Sequence, residues 1–258
     1  GNLKSVETKM ITVKNSHEQA RMREAGKIVG DTLRFIEPYV KPGVSTAELD
    51  NLMENYICSR GAKPNFKHLY GFPATACISI DEEVVHGVPS ERVLKEGEIV
   101  SIDVGAKIKG FNGDAARTFP VGEVSFEKRK LIEVCKDSFF KGAEQVAVGK
   151  HLGDVSHAIQ SYVESFGFGI VRCMTGHGIG RALHEDPEIP NYGMPGTGPV
   201  LKEGYCLAVE PMITAGSPEV KFVPVGDWDV CVTRDLRPSA HYENTILILS
   251  DKIEILTL

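Results

Sequence analysis

The sequence predicts a single α/β (α+β) unit: a curved, largely antiparallel sheet with helices on its outer face and an internal two-fold pseudosymmetry. Two internal echoes and one repeated rhythm of elements carry that expectation. Tyr56-Ile-Cys-Ser-Arg-Gly61 returns 106 residues later as Tyr162-Val-Glu-Ser-Phe-Gly167, with Tyr, Ser and Gly retained and Ile matched by Val. Leu94-Lys-Glu-Gly97 returns as Leu201-Lys-Glu-Gly204 at an offset of 107, and in each copy a carboxylate, Asp103 or Glu210, stands six residues after the Gly. The rhythm is helix, break, helix, glycine, then strands.

Taken in order, Met10 reads as a natural start, so residues 1–9 are expected to be an N-terminal extension or cloning remnant, and 10–258 one domain with halves at about 16–120 and 125–249. From Ser16, a candidate cap, to Val40, the apolar residues Ala20, Met22, Ala25, Ile28, Val29, Leu33 and Ile36 recur at helical spacing until Pro38 and Pro42 stop them. Ser45 to Arg60 reads as a second helix closed by Gly61. Ala76 to Ile80 and Glu98 to Val104 are rich in the β-branched residues that suit strands. Ser125 to Val148 and Gly153 to Phe166 repeat the helix pair, and Cys206 to Val209 and Thr245 to Leu249 supply the matching strands.

Composition narrows the setting. With 258 residues, 42% hydrophobic and 25% charged, the chain has the material for one large core and is not disordered. Lys plus Arg is 29 against 35 for Asp plus Glu, a net charge of −6, which argues against nucleic acid as a partner. No apolar run approaches the roughly 18–20 residues that cross a bilayer, and residues 1–14 lack the apolar centre of a secretory signal. No membrane partner and a cytoplasmic setting are therefore expected. The six cysteines form no C-x-x-C pair and read as reduced thiols, with no zinc ribbon.

The acids are less ordinary. Ile99 to Val104 and Phe111 to Phe119 have the form of a hairpin, and a turn centred on Ile108-Lys109 sets Asp103 opposite Asp114. Like charges so placed repel, so either both are solvated or a cation lies between them. Asp103 stands among Val100, Ile102 and Val104, which favours the cation. Glu210 follows the apolar Cys206-Leu-Ala-Val209, Glu243 leads into Thr245-Ile-Leu-Ile-Leu249, and His177 lies in the glycine-rich Thr175-Gly-His-Gly-Ile-Gly180, read as a loop. Four carboxylates and one imidazole form a hard, oxygen-rich donor set suited to a pair of divalent ions. Two such ions about 3.5–4 Å apart share and acidify a water. His86, in Val84-Val-His-Gly-Val-Pro89, and His184, in Arg181-Ala-Leu-His-Glu185, are candidates to hydrogen-bond a substrate carbonyl.

The other histidines carry less. His17, His151 and His157 read as helix starts or surfaces, and His68 and His241 as residues that could line a cleft. The glycines at 176–180 lack the context of a phosphate-binding loop, and Lys128-Arg129-Lys130 reads as a solvated helix face.

The ordered set Asp103, Asp114, His177, Glu210 and Glu243 resembles that of the methionine aminopeptidases, and from about Met10 onward the chain looks like a type I, bacterial-style member. The similarity is carried by Cys77-Ile-Ser-Ile-Asp-Glu-Glu-Val-Val-His-Gly-Val-Pro89, Ser101-Ile-Asp-Val-Gly105, Asn112-Gly-Asp-Ala-Ala-Arg117, Gly176-His-Gly-Ile-Gly180, Val209-Glu-Pro-Met212 and His241-Tyr-Glu-Asn-Thr245. The resemblance implies the pita-bread fold of the M24 metallopeptidases. It implies two divalent ions, Co, Mn, Fe or Zn, with Asp114 and Glu243 bridging, His177 and Glu210 completing one site and Asp103 holding the other. It further implies that a metal-bridged hydroxide removes the N-terminal methionine, with Glu210 as proton carrier, His86 at the scissile amide and His184 at its carbonyl. Phe72, Cys77 and Trp228 would form the methionine pocket, and a small second residue would be preferred. Leu69 and Leu183 depart from aromatics found in some members, and Asn244 stands where His is common. Nascent polypeptide N-termini, at the ribosome, are the implied substrates of a monomeric enzyme. The alternatives are a proline-directed aminopeptidase or dipeptidase of the same fold, or a binding module that has kept the fold without the chemistry.

Overall fold

The computed structural model describes residues 10–258, so the extension expected at residues 1–9 lies outside the described residues. Helix α1 (Ser16–Ile36) opens on a capping box in which Asn15, not Ser16, is the cap. The Asn15 side chain accepts from the Glu18 amide at 2.9 Å, while the Glu18 carboxylate accepts from the Asn15 amide at 3.1 Å. Its apolar stripe is buried from Met22 to Ile36. The helix ends four residues short of Val40, because Pro38 draws the chain into the 3-10 turn Glu37–Tyr39. Helix α2 (Thr46–Ser59) is capped by Ser45, α3 (Phe126–Ala143) by Ser125, and α4 (Leu152–Glu164) follows after the turn at Gly149.

In the first half the strands are β1 (Lys63–Pro64), β2 (Ala76–Ile80), β3 (Glu83–Val85), β4 (Ile99–Ile108) and β5 (Phe111–Pro120). In the second they are β6 (Gly169–Ile170), β7 (Gly176–Gly178), β8 (Glu185–Ile189), β9 (Cys206–Val209), β10 (Met212–Thr214), β11 (Val220–Val225), β12 (Trp228–Thr233), β13 (Ser239–His241), β14 (Asn244–Ile248) and β15 (Ile253–Ile255). Every pairing is antiparallel, and hydrogen bonding divides the strands into four sheets. One has β4 between β5 on one edge and β1 and β2 on the other. The largest runs β15-β14-β9-β7-β8. Ala116 and Glu243 exchange backbone hydrogen bonds of 3.2 and 3.0 Å, which joins β5 to the start of β14 and brings the two halves into contact.

Two apolar cores lie behind this surface. One packs α1 and α2 on Val100, Ile102 and Val104 of β4, and the other packs α3 and α4 on β9, β10 and β14. The glycines of the sequence echoes share a backbone state: Gly61 and Gly167 have φ of 78° and 76°, and Gly97 and Gly204 have φ of 94° and 86°. Left-handed φ at the end of a helix or just before a strand is the conformation that glycine adopts without steric cost.

The hairpin register differs from the expectation. Lys109 and Gly110 both have positive φ, which closes a tight two-residue turn, so Asp103 pairs with Ala116 and Asp114 with Gly105. The slip is two residues, so the side-chain faces are conserved. Asp103 and Asp114 still project from one face, as diagonal rather than direct neighbours.

Candidate metal centre

Five side chains from five segments converge on that face: Asp103 from β4, Asp114 from β5, His177 from β7, Glu210 just after β9 and Glu243 just before β14. His177 Nε2 lies 3.2 Å from Asp114 Oδ2, 3.4 Å from Glu210 Oε2 and 3.9 Å from Glu243 Oε2. Its other nitrogen, Nδ1, donates to the Gly178 carbonyl at 2.8 Å, which turns Nε2 toward the carboxylates. The segment around His177 is a strand, not the loop expected from its glycines. A Cβ at Gly176 would strike the Ala208 carbonyl and one at Gly178 the Asp186 carbonyl, so glycine here permits close packing of β7 between β8 and β9.

Outer contacts fix the acids. The Thr245 hydroxyl donates to the Asp114 carbonyl at 2.8 Å, Arg117 donates to the Glu243 carbonyl at 2.6 Å, and Asn191 donates to the Glu210 carbonyl at 3.0 Å. Arg117 also binds Asn244 Oδ1, at 2.8 Å.

Charge in this pocket is poorly compensated by the protein itself. Burial, and then the neighbouring Asp114 carboxylate, push both Asp103 and Glu243 well above the usual carboxylate range. Burial also opposes charge on Glu210, but the close approach of Glu243, His177 and His241 outweighs it and holds that carboxyl low. Burial pulls the His177 imidazole down, yet its bonds to Asp114 and Glu210 prevail and raise it to about 10. Asp103 Oδ1, Asp114 Oδ1 and both carboxylate oxygens of Glu243 are buried without a hydrogen-bond partner. Such orphaned anionic oxygens are costly unless a cation meets them. The donor atoms of Asp114, His177, Glu210 and Glu243 lie within 4.8 Å of one another, as do those of Asp103, His241 and Glu243. A hard divalent ion fits this donor set, and Glu243 belongs to both groups.

Above the acids opens a cavity of about 650 Å³. Asp103, Asp114, His177, Glu210, His86, His184, Phe72, Cys77 and Trp228 all line it, together with Leu69 and Leu183. Glu243 lies beneath its floor, fully buried. Phe72 and Trp228 pack with ring centroids 5.0 Å apart, and the Trp228 indole donates to the His86 carbonyl at 3.0 Å. Burial and the nearby Asp103 raise the Cys77 thiol far above its ordinary value, leaving it an apolar part of the wall. Burial lowers the affinity of His86 and of His184 for a proton, His184 also feeling His177 at a ring separation of 4.4 Å. Both imidazoles are therefore poised as neutral hydrogen-bonding groups.

Phe66, Tyr70, Met174 and Met212 also line the cavity and were not singled out by sequence. Met212 stands beside Glu210, which was the available signal; Tyr70 lies in an irregular stretch with left-handed φ at His68 and Tyr70, where no periodicity reports. Of the two histidines expected to line a cleft, His68 is exposed outside this cavity, and His241, buried behind the acids, lines a separate cavity of about 400 Å³ with Arg117 and Tyr242.

Residues 20–250 match the model of metallopeptidase family M24. The chain is 56% identical over 250 residues to a methionine aminopeptidase of Clostridium acetobutylicum, covering 96% of this chain and 99% of that one. The chain belongs to the methionine aminopeptidases of family M24. The crystal structure of methionine aminopeptidase from Rickettsia prowazekii superposes with a TM-score of 0.94 at 44% identity, over 96% of this chain and all of that one. A prolidase from Pyrococcus furiosus shares the fold alone: the TM-score is 0.78 at 23% identity, and the match spans 65% of the prolidase. Family M24 thus accounts for the mixed α/β, antiparallel pita-bread architecture and for a hydrolase of the metallo-exopeptidase class.

Proposed function

We propose that this enzyme removes the N-terminal methionine from polypeptides whose second residue is small, using two divalent ions held by Asp103, Asp114, His177, Glu210 and Glu243. The observation that carries the reading is the set of orphaned, buried carboxylate oxygens at the floor of a cavity with an apolar wall. Asp114 and Glu243 would help to hold both ions, His177 and Glu210 would help to hold one, and Asp103 the other. Bound there, the ions lower the pKa of water and polarise a carbonyl.

The chain's own residues do the rest. Phe72, Cys77 and Trp228 receive an unbranched thioether side chain, to which aromatic and apolar walls are complementary. Asp103 faces the free α-amine, which confines cleavage to a chain end. Glu210, held ionised, takes a proton from the attacking water and passes it to the leaving amine. His86 contacts the scissile amide, and His184 donates to its carbonyl as charge develops. Residues 10–258 act as one catalytic unit with halves at about 16–120 and 125–249, a reading supported by the matched glycines.

The same reading makes the natural substrates nascent chains at the ribosome, the enzyme a cytoplasmic monomer, and the ions Co, Mn, Fe or Zn. Among the described residues, no helix is long and apolar enough to cross a membrane. The test is release of free methionine from Met-Ala-Ser and Met-Pro-Ser by metal-stripped protein, before and after Mn(II) or Co(II), beside an Ala-Pro-Ser control. Metal-dependent release with Ala-Pro-Ser intact is expected. Cleavage of Ala-Pro-Ser would move the enzyme to the proline-directed class, and silence on all three would leave a binding module.

A further inference from the structure

A second cavity of about 390 Å³ adjoins the catalytic one and shares Leu69, Tyr70, Leu183 and His184 with it. The two meet at the Tyr70–His184 pair, whose rings lie nearly parallel with centroids 6.1 Å apart. Tyr70 stands there with φ 53° and ψ 24°, a backbone state unfavourable for an aromatic residue, and the residue is 76% exposed. The surrounding segment holds the ring at the boundary between the two spaces.

The far side of this groove is basic. Lys63 of β1 and Lys107 of β4 are direct cross-strand partners, both exposed. Like charges directly opposite one another destabilise a strand pair. Among the described residues neither ammonium has a carboxylate within 4.0 Å. Arg181, also lining the groove, is 71% exposed, stacks on the Phe111 ring and has its carboxylate neighbour, Glu18, at 3.7 Å. Three cations thus gather beside the active site of a chain whose net charge is −6.

We propose that this groove binds the part of the substrate polypeptide beyond the scissile bond and favours acidic side chains at its third to fifth residues. The inference rests on the aminopeptidase reading, which sets His184 at the scissile carbonyl; the groove begins at that residue. Continuity with the catalytic cavity makes the occupant the same polypeptide. Tyr70 and Leu183 would contact its backbone and apolar atoms, while Lys63, Lys107 and Arg181 meet its carboxylates. Electrostatic complementarity of this exposed kind is modest and salt-sensitive.

The experiment compares kcat/KM for Met-Ala-Glu-Glu-Glu, Met-Ala-Ser-Ser-Ser and Met-Ala-Lys-Lys-Lys with the metal-loaded enzyme. At an ionic strength of about 0.01 M the Glu peptide is expected to exceed the Ser peptide by roughly three- to tenfold and the Lys peptide by more, converging toward equality at about 1 M. The double variant Lys63→Glu, Lys107→Glu should reverse the order while leaving cleavage of Met-Ala amide, which is too short to enter the groove and brings no carboxylate to it, unchanged. Should that variant lose activity on Met-Ala amide, Lys63→Gln with Lys107→Gln replaces it, and abolition of the preference is then expected. Equal turnover of the three peptides at low salt, with Met-Ala-Ser cleaved, would overturn the groove. Failure to cleave Met-Ala-Ser would instead remove the aminopeptidase reading, and the groove's substrate with it.

Discussion

His241 Nε2 lies 3.5 Å from Glu210 Oε1, on an imidazole that is 1% exposed and whose Nε2 has no hydrogen-bond partner. The contact is long for a hydrogen bond, and catalytic contacts of this kind often shorten when substrate binds. An N–H donated from His241 would fix the carboxylate assigned to carry the proton. His241→Leu removes the donor at similar bulk and is expected to lower kcat by about 10- to 100-fold, as for a lost hydrogen bond to a charged group. KM for Met-Ala-Ser should change little. His241→Gln, which retains an N–H donor, should recover most of the rate. Steady-state kinetics of both variants at saturating Mn(II) decide it, and equal rates for the two would refute the role.

Four carboxylates around one imidazole make the stripped protein unfavourable to itself. Metal binding should therefore raise thermal stability: at a hundred times Kd the gain is about 2.7 kcal/mol, roughly 5–10 °C for a domain of this size. Because Asp103, Glu243 and His177 are all raised above their ordinary values in the metal-free state, uptake must release protons. Apparent affinity should rise with pH between 5 and 8. Calorimetric titration in buffers of different ionisation enthalpy measures the protons directly; a value of zero would contradict the charge state described.

Packing of β7 predicts the effect of a single methyl. At Gly176 an added Cβ falls on the Ala208 carbonyl in the neighbouring strand, so Gly176→Ala must displace the backbone that carries His177. Lower melting temperature and weaker Co(II) binding are expected together. A variant that melts and binds Co(II) as the parent does would show that β7 is free to shift.

Much of this site was legible because buried charges stand out against apolar runs. Asp103 among Val100, Ile102 and Val104, and Glu243 before Thr245 to Leu249, need a partner wherever the chain folds, so their candidacy follows from type and neighbours. Geometry set by one backbone angle was not legible. Lys109 adopts positive φ in the hairpin turn, a state its type does not advertise, and the register moved by two. Asn15 and Ser16 are both good helix caps, and only the reciprocal bond with Glu18 separates them. Glycine around His177 suggested a loop, because sequence does not distinguish flexibility from close strand packing. His241 read only as a residue that could line a cleft, since nothing local reveals that Glu210, distant in sequence, lies against it.

Asp31 offers a pH test away from the metal. It ties α1 to α2: Arg60 donates to it at 2.8 Å and Lys27 at 3.2 Å, with Arg34 as a third partner. Burial pushes its carboxyl up, but Arg60, Arg34 and Lys27 outweigh that and hold it at about 2, below the usual 3.8. A depressed carboxyl contributes stability that is fully present above the unfolded value and is lost as pH falls through the folded one. Asp31→Asn should therefore cost about 1 kcal/mol at pH 7, discounted for the solvent that reaches the pair. The deficit relative to the parent should persist to about pH 4, shrink below it and vanish near pH 2. Urea melts of parent and variant across that range measure the difference. A constant deficit from pH 7 down to pH 2 would mean that the contact acts through its shape and neutral hydrogen bonds, and not through the charge of Asp31.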